Sequence, residues 1–242
     1  MPEVPSIFQL ELELKAFHPH LSEPKAGNSF RVDCHSHTMY SGDSTTTLEE
    51  IENYVLASKL DVICITDHGT IKGAEKLRES CDIKVIVGQE CKTSAGEVIG
   101  LFLKERIPPG LSPMDCAVEI RNQGGLVSIP HPFDPMRHAL SDRELYSLVA
   151  MELVDVIEVL NSKSSLASAR QKAYKVASEF SLGRVSGSDA HVPQAFGASY
   201  VEMPKFENAQ SFLENLSQGR IVGHFFDPPR IWSPRVVPST KN

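Results

Sequence analysis

From Phe30 onward, short apolar runs alternate with helical patterns, and this alternation restricts the chain more than any other feature. Runs of strand type fall at 30–34, 62–65, 84–87, 98–103, 126–129, 156–160, 184–186 and 199–201. Between most of them stand helix signatures. Thr47 with Glu50 forms a capping box ahead of Leu48, Ile51 and Val55, which share one helical face. Ser112-Pro113 reads as an N-cap followed by proline at the first helical position. Ser141 with Glu144 repeats the box, and Ala169, Ala173, Val176, Ala177 and Phe180 form an apolar stripe that stops before Gly183. Phe212, Leu213 and Leu216 do the same before Gly219. Strand–helix alternation on this scale predicts an α/β fold with a largely parallel sheet.

The flanks read differently. Phe8, Leu10, Leu12 and Leu14 alternate with polar residues, a period of two that predicts a half-buried strand. Pro19, Pro24 and Gly27 then mark a linker, so residues 1–29 form an N-terminal strand and linker and residues 30–219 the main domain. Residues 220–242 carry Pro228, Pro229, Pro234 and Pro238 and read as a Pro-rich tail with Trp232 as its anchor.

Composition narrows the partners. The formal net charge of −7 over 242 residues, with no basic block, disfavours strong nucleic-acid binding, which needs many phosphate-neutralising side chains. It leaves room for a small phosphorylated substrate. Five cysteines, odd in number and without a C-x-x-C pair, argue against a disulfide framework or a thiolate zinc site and for a reducing compartment. No apolar run approaches the ~20 residues of a membrane helix, and the start has no basic region ahead of an apolar stretch. A soluble, cytoplasmic protein is expected, with no membrane partner.

The histidines fall where active sites are built. His35 and His37 stand two apart at the end of the first run, so both imidazoles face one side of an extended segment. His68 follows the second run, Glu90 the third, His131 the fifth, and Asp189 with His191 the seventh. In a parallel sheet or barrel those strand ends share one rim. A lone histidine at a strand end is more often a hydrogen-bonded structural residue, but this many at successive ends points to a metal centre. Imidazoles and carboxylates without thiolates suit zinc, manganese, iron or cobalt. The ligands outnumber what one ion takes, so the centre is multinuclear. Phosphoester hydrolysis is the reaction that uses both an acidified bridging water and charge neutralisation at phosphorus. His18, His20 and His224 lie outside the pattern and read as surface residues; His138 is left open.

At these residues the chain resembles the PHP (polymerase and histidinol phosphatase) family of metal-dependent phosphoesterases. The matching motifs are Asp33-Cys34-His35-Ser36-His37, Ile65-Thr66-Asp67-His68, Gly88-Gln89-Glu90, Ile129-Pro130-His131-Pro132 and Gly187-Ser188-Asp189-Ala190-His191, in the family's order. The resemblance implies a distorted (β/α)7 TIM-like barrel, one strand short of eight, holding two or three divalent ions (zinc, manganese or iron) at its C-terminal rim. It implies a first ion on His35, His37, Glu90 and Asp189, a second sharing Glu90 with His131, and a third on His68 and His191. Two positions depart from the common pattern. Asp43 is displaced by one residue from the usual third-ion acid, and Glu97 stands where many members have a histidine that completes the second site.

Asp33 and Asp67 precede ligand histidines and read as acceptors that orient imidazoles. Glu158 and Asn161 end a strand on the same rim and are expected to line the pocket. Cys34 and Cys64 read as packing. Arg137 is a candidate phosphate clamp, catalytic as well as substrate-binding, and Lys92 a second substrate contact. The expected function is hydrolysis of a phosphomonoester or phosphodiester of a small molecule or nucleotide, by in-line attack of a metal-bound hydroxide with Arg137 stabilising the equatorial oxygens. The rival readings are an amidohydrolase acting on C–N bonds, a proofreading-type nuclease, and a non-catalytic metal-binding module.

Overall fold

The computed structural model describes residues 5–230. Among these residues nine strands form one sheet: β1 (Ser29–Ser36), β2 (Val62–Ile65), β3 (Lys84–Thr93), β4 (Gly96–Leu101), β5 (Leu126–Ile129), β6 (Val156–Asn161), β7 (Gly183–Gly187), β8 (Ser199–Pro204) and β9 (Arg220–Gly223). Their order is β7-β6-β5-β4-β3-β2-β1-β8-β9. The sheet curls until the segment leaving β7 reaches β1, where Asp189 N–H donates to the His35 carbonyl at 2.7 Å and His37 N–H to the Ala190 carbonyl at 3.0 Å. The result is the nearly closed, distorted barrel that the resemblance implies. β1, β2 and β3 pair in parallel, as do β5, β6 and β7, while β4 is antiparallel to both its neighbours. β8 and β9 continue antiparallel from the first half of β1.

The strands are buried on both faces, as continuous apolar runs require. On β2, Val62 and Cys64 join an inner cluster with Val32, Ile86, Val156 and Val185, to which Phe206 and Phe212 belong. The alternate residues Ile63 and Ile65 pack into the outer layer with the helices. Those helices are α1 (Ile7–Phe17), α2 (Leu48–Ser58), α3 (Lys72–Ser80), α4 (Pro113–Asn122), α5 (Asp142–Ala150), α6 (Ala167–Glu179) and α7 (Ala209–Asn215). Ser6, Thr47, Ser112, Ser141 and Asn208 cap α1, α2, α4, α5 and α7.

Three expectations are corrected. The N-terminal segment expected as a strand is the helix α1: Leu10 and Leu14 are buried one turn apart, while Phe8 and Leu12 are 68% and 55% exposed. Alternation of four residues over seven positions satisfies a helical face as well as a strand, and the reciprocal Ser6–Gln9 capping box decides between them. The expected Pro-rich tail opens with a strand, β9, which pairs with β8. His18 is not a surface residue. It is fully buried, its Nε2–H donating to the Gln194 carbonyl at 2.8 Å and its Nδ1 lying 2.9 Å from His224 Nε2. His20 hydrogen-bonds the Gly197 carbonyl. After β9, residues 224–230 run without regular structure, and Phe226 N–H donates to the Ser162 carbonyl at 2.7 Å. Trp232, Pro234 and Pro238 lie outside the described residues.

Candidate metal centre

The strand ends deliver their side chains to one point. His35 sits in β1 and His37 just beyond it, and their Nε2 atoms face each other at 3.0 Å. Glu90 Oε2 lies 3.4 and 3.3 Å from those two nitrogens, and Asp189 Oδ1 lies 3.7 and 3.4 Å from them. Glu90 lies within β3 rather than after it, because that strand runs on past Gly88 into a hairpin with β4. The antiparallel β4 then brings Glu97 to the same rim, cross-strand from Lys92. Glu97 is buried, with Oε2 3.7 Å from His131 Nε2 and Oε1 4.0 Å from His68 Nδ1. His131 Nε2 lies 3.0 Å from Glu90 Oε1. Asp43 Oδ2 lies 3.4 Å from His68 Nε2 and 3.2 Å from His191 Nε2.

All nine candidate ligands therefore meet, in four overlapping groups. His37, Asp43, His68 and His191 form one, His35, Glu90 and His131 a second, His35, His37 and Asp189 a third, and His68, Glu90 and Glu97 a fourth. Within each group the candidate ligand atoms lie no more than 4.8 Å apart. The grouping differs in detail from the expected one: Glu97 stands with His68 as well as near His131, and His37 also joins the Asp43 group.

The donor set fits cations on several observations. Two imidazole nitrogens 3.0 Å apart with two carboxylate oxygens around them are lone pairs converging on a common centre. Among the described residues His131 Nδ1 and Asp43 Oδ1 are buried without a hydrogen-bond partner, and His68 Nδ1 lies 3.2 Å from Glu90 Oε2. Electrostatics agrees. Burial alone would lower the His37 pKa, yet Asp189 and Glu90 overrule it and hold it up at about 9. Burial likewise works against a charged His35, and the carboxylates of Asp189, Glu90 and Glu158 outweigh it. Burial would raise Asp43, but His191 and His68 hold it far below the usual carboxylate range. Carboxylates crowded this closely draw positive charge to themselves, which a metal supplies.

Supporting groups fix the rings. Glu158 Oε1 lies 3.3 Å from His35 Nδ1, Ser41 Oγ 2.9 Å from His37 Nδ1, and the Asp189 carbonyl 2.8 Å from His191 Nδ1, leaving each Nε2 for the cluster. Asp33 and Asp67 do not orient imidazoles, contrary to expectation. Asp33 Oδ1 accepts from the backbone N–H of His35 and Ser188, and Asp67 accepts from the N–H and hydroxyl of Thr38. Burial pushes both acids up to about 7. They lock the loops that carry the ligands. Asn161 also serves the rim, donating to Glu158 Oε2 and Asp189 Oδ2, and Cys34 and Cys64 are packed in the inner cluster.

Two of the candidate ligands also carry backbone strain. His131 and Asp189 hold φ of +29° and +51°, conformations a non-glycine residue adopts only when its surroundings insist. Gly187 is required by space: a Cβ there would collide with His35 Cβ and come within 2.6 Å of Glu158 Oε1.

The cluster floors a cavity of about 270 Å³ whose wall includes Lys92, Arg137, Lys163 and Arg230. Arg137 Nη2 donates to the Lys163 carbonyl at 2.9 Å and lies 3.7 Å from Asp227. Arg230 donates to the Asp43 carbonyl at 3.0 Å. Lys163 and Arg230 were not legible as site residues, since neither stands in a histidine or carboxylate motif. His138 lends its carbonyl to the Glu97 N–H.

Comparison with known proteins agrees with the geometry. The model of the PHP domain matches residues 33–216. An uncharacterized protein of Methanocaldococcus jannaschii is 39% identical over 145 residues, covering 54% of this chain and 82% of its own. A second from the same organism is 32% identical over 179 residues, covering 71% and 70%. Among solved structures, a two-domain protein of Bacteroides vulgatus containing a predicted PHP-like metal-dependent phosphoesterase superposes with a TM-score of 0.69. It is 19% identical, covering 83% of this chain and 67% of that one.

Proposed function

Because this chain belongs to the PHP domain family, we propose that it is a metal-dependent hydrolase acting on a phosphomonoester or phosphodiester of a small molecule or nucleotide. His35, His37, Asp43, His68, Glu90, Glu97, His131, Asp189 and His191 would hold two or three divalent ions, zinc, manganese or iron. The observation that carries the reading is the facing pair His35 Nε2 and His37 Nε2 with Glu90 and Asp189 around it, the two carboxylates lining a cation-rimmed cavity. Bound ions supply an acidified water and counter-charge for phosphoryl oxygens.

The protein's own groups do the rest. Glu158 and Ser41 hold the two imidazoles in register, so the cluster needs no rearrangement when a substrate arrives. Arg137 presents a guanidinium anchored from behind by the Lys163 carbonyl, suited to donate a charge-assisted hydrogen bond to a phosphate oxygen. Lys92, exposed on the cavity wall, adds a long-range attraction for the anion. A cavity of about 270 Å³ and a net charge of −7 favour a small phosphorylated molecule over a nucleic-acid polymer. All five cysteines are free, which suits the cytoplasm.

The test is a side-by-side assay of p-nitrophenyl phosphate, bis-p-nitrophenyl phosphate, nucleotides and cyclic amides on metal-loaded protein. Metal-dependent cleavage of at least one phosphoester is expected, abolished in His35→Ala and Asp189→Ala with circular dichroism unchanged. Hydrolysis of cyclic amides alone would replace this reading with the amidohydrolase one.

A further inference from the structure

Lys163 lies two residues past the end of β6, and its side chain runs back into the cavity until only 5% of it is exposed. A buried ammonium carries three N–H donors, and taking it out of water is costly unless each finds an acceptor. The acceptors within reach are poor. Asp189 Oδ1 is 3.5 Å away, at the edge of hydrogen-bonding range, and the same oxygen already faces Nε2 of both His35 and His37. His191 Nδ1 is 3.1 Å away, but it sits 2.8 Å from the Asp189 carbonyl, an acceptor that claims its proton and leaves it no lone pair. A second cation shares the shortage. Arg137 lines the same cavity, and among the described residues its guanidinium makes one hydrogen bond, from Nη2 to the backbone carbonyl of Lys163 itself. Two cations joined through one peptide group therefore face one cavity with donors to spare.

We propose that Lys163 is a substrate-binding residue, the inner member of a Lys163–Arg137 pair that takes one anionic phosphoryl oxygen between its unsatisfied donors. The inference rests on the phosphoester reading above and adds to it the residue that holds the anion from the protein side. Lys163 contributes as a fixed charge within reach of the cluster. Arg137 contributes direction.

Inorganic phosphate, the simplest ligand carrying the required oxygens, is the probe. Its binding to metal-loaded protein is measured by calorimetry for the wild type, Lys163→Met and Lys163→Arg, with the metal content of each determined in parallel. Lys163→Met is expected to keep its metal content and bind phosphate about 10- to 100-fold more weakly, the loss of one charge-assisted hydrogen bond. Lys163→Arg, which retains the charge, is expected to recover most of the affinity. Phosphate affinity in Lys163→Met within twofold of the wild type overturns the proposal. So does a loss of metal from Lys163→Met, which would make the ammonium a support for Asp189 and His191 instead. A wild type that binds metal but no phosphate overturns the phosphoester reading itself, and this inference with it.

Discussion

Glu158 grips two parts of the site at once. Its Oε1 lies 3.3 Å from His35 Nδ1, and its Oε2 accepts the His131 N–H at 2.6 Å. It thus fixes one ring and the strained backbone of another without belonging to any of the four ligand groups. Glu158→Ala should leave every candidate ligand in place and still weaken metal binding by about 10- to 100-fold, measured by chelator competition. Gly187 gives a sterically opposite test. Gly187→Ala drives a methyl group into His35 Cβ and Glu158, so metal content and melting temperature should fall together. Part of this was legible beforehand. The H-x-H, D-H and D-x-H pairings announce themselves because their chemistry is local in sequence. Lys163, Arg230 and the true roles of Asp33 and Asp67 were hidden, because each is defined by what the fold brings against it.

Eight of the nine strands were legible, since runs buried on both faces have few other uses in a chain of this kind, but β3 and β8 extend well past the apolar runs that marked them. β9 escaped notice because Arg220–Gly223 is short and only Val222 in it is fully buried. The N-terminal segment misled for a different reason: its apolar residues satisfy both periods, and only the capping box separates them. The helix makes a sharp prediction. Leu14 is fully buried in the outer core and Leu12 faces solvent. Leu14→Ala should cost about 2–5 kcal/mol in denaturant unfolding, and Leu12→Ala less than about 0.5 kcal/mol. Equal effects from the two would mean that the segment does not pack as a helix.

Across the whole molecule, α1, the loop after β7 and the segment after β9 are tied together by histidines that belong to none of the ligand groups. His18 bridges the Gln194 carbonyl and His224, with Phe226 edge-on to its ring at 4.7 Å between centroids. Burial lowers the His18 pKa to about 4, and lowers those of His20 and His224 too. A histidine with a depressed folded-state pKa takes up protons more readily when unfolded. Its neutral ring therefore stabilises the fold fully above about pH 6.5, and that contribution is lost as pH falls towards 4. Unfolding free energy should drop across this window by up to about 3 kcal/mol on account of His18, and His18→Phe should flatten the slope by that amount. An unchanged slope in the variant would remove His18 from the account.

The convergence of nine side chains from six strand ends or the loops after them is the claim on which the functional reading depends, and metal stoichiometry tests it most directly. Elemental analysis of protein dialysed against manganese, zinc or iron, wild type beside His35→Ala, should find more than one ion per chain in the wild type and at least one fewer in the variant. A wild type that retains no stoichiometric metal, or a variant that retains as much, would contradict it.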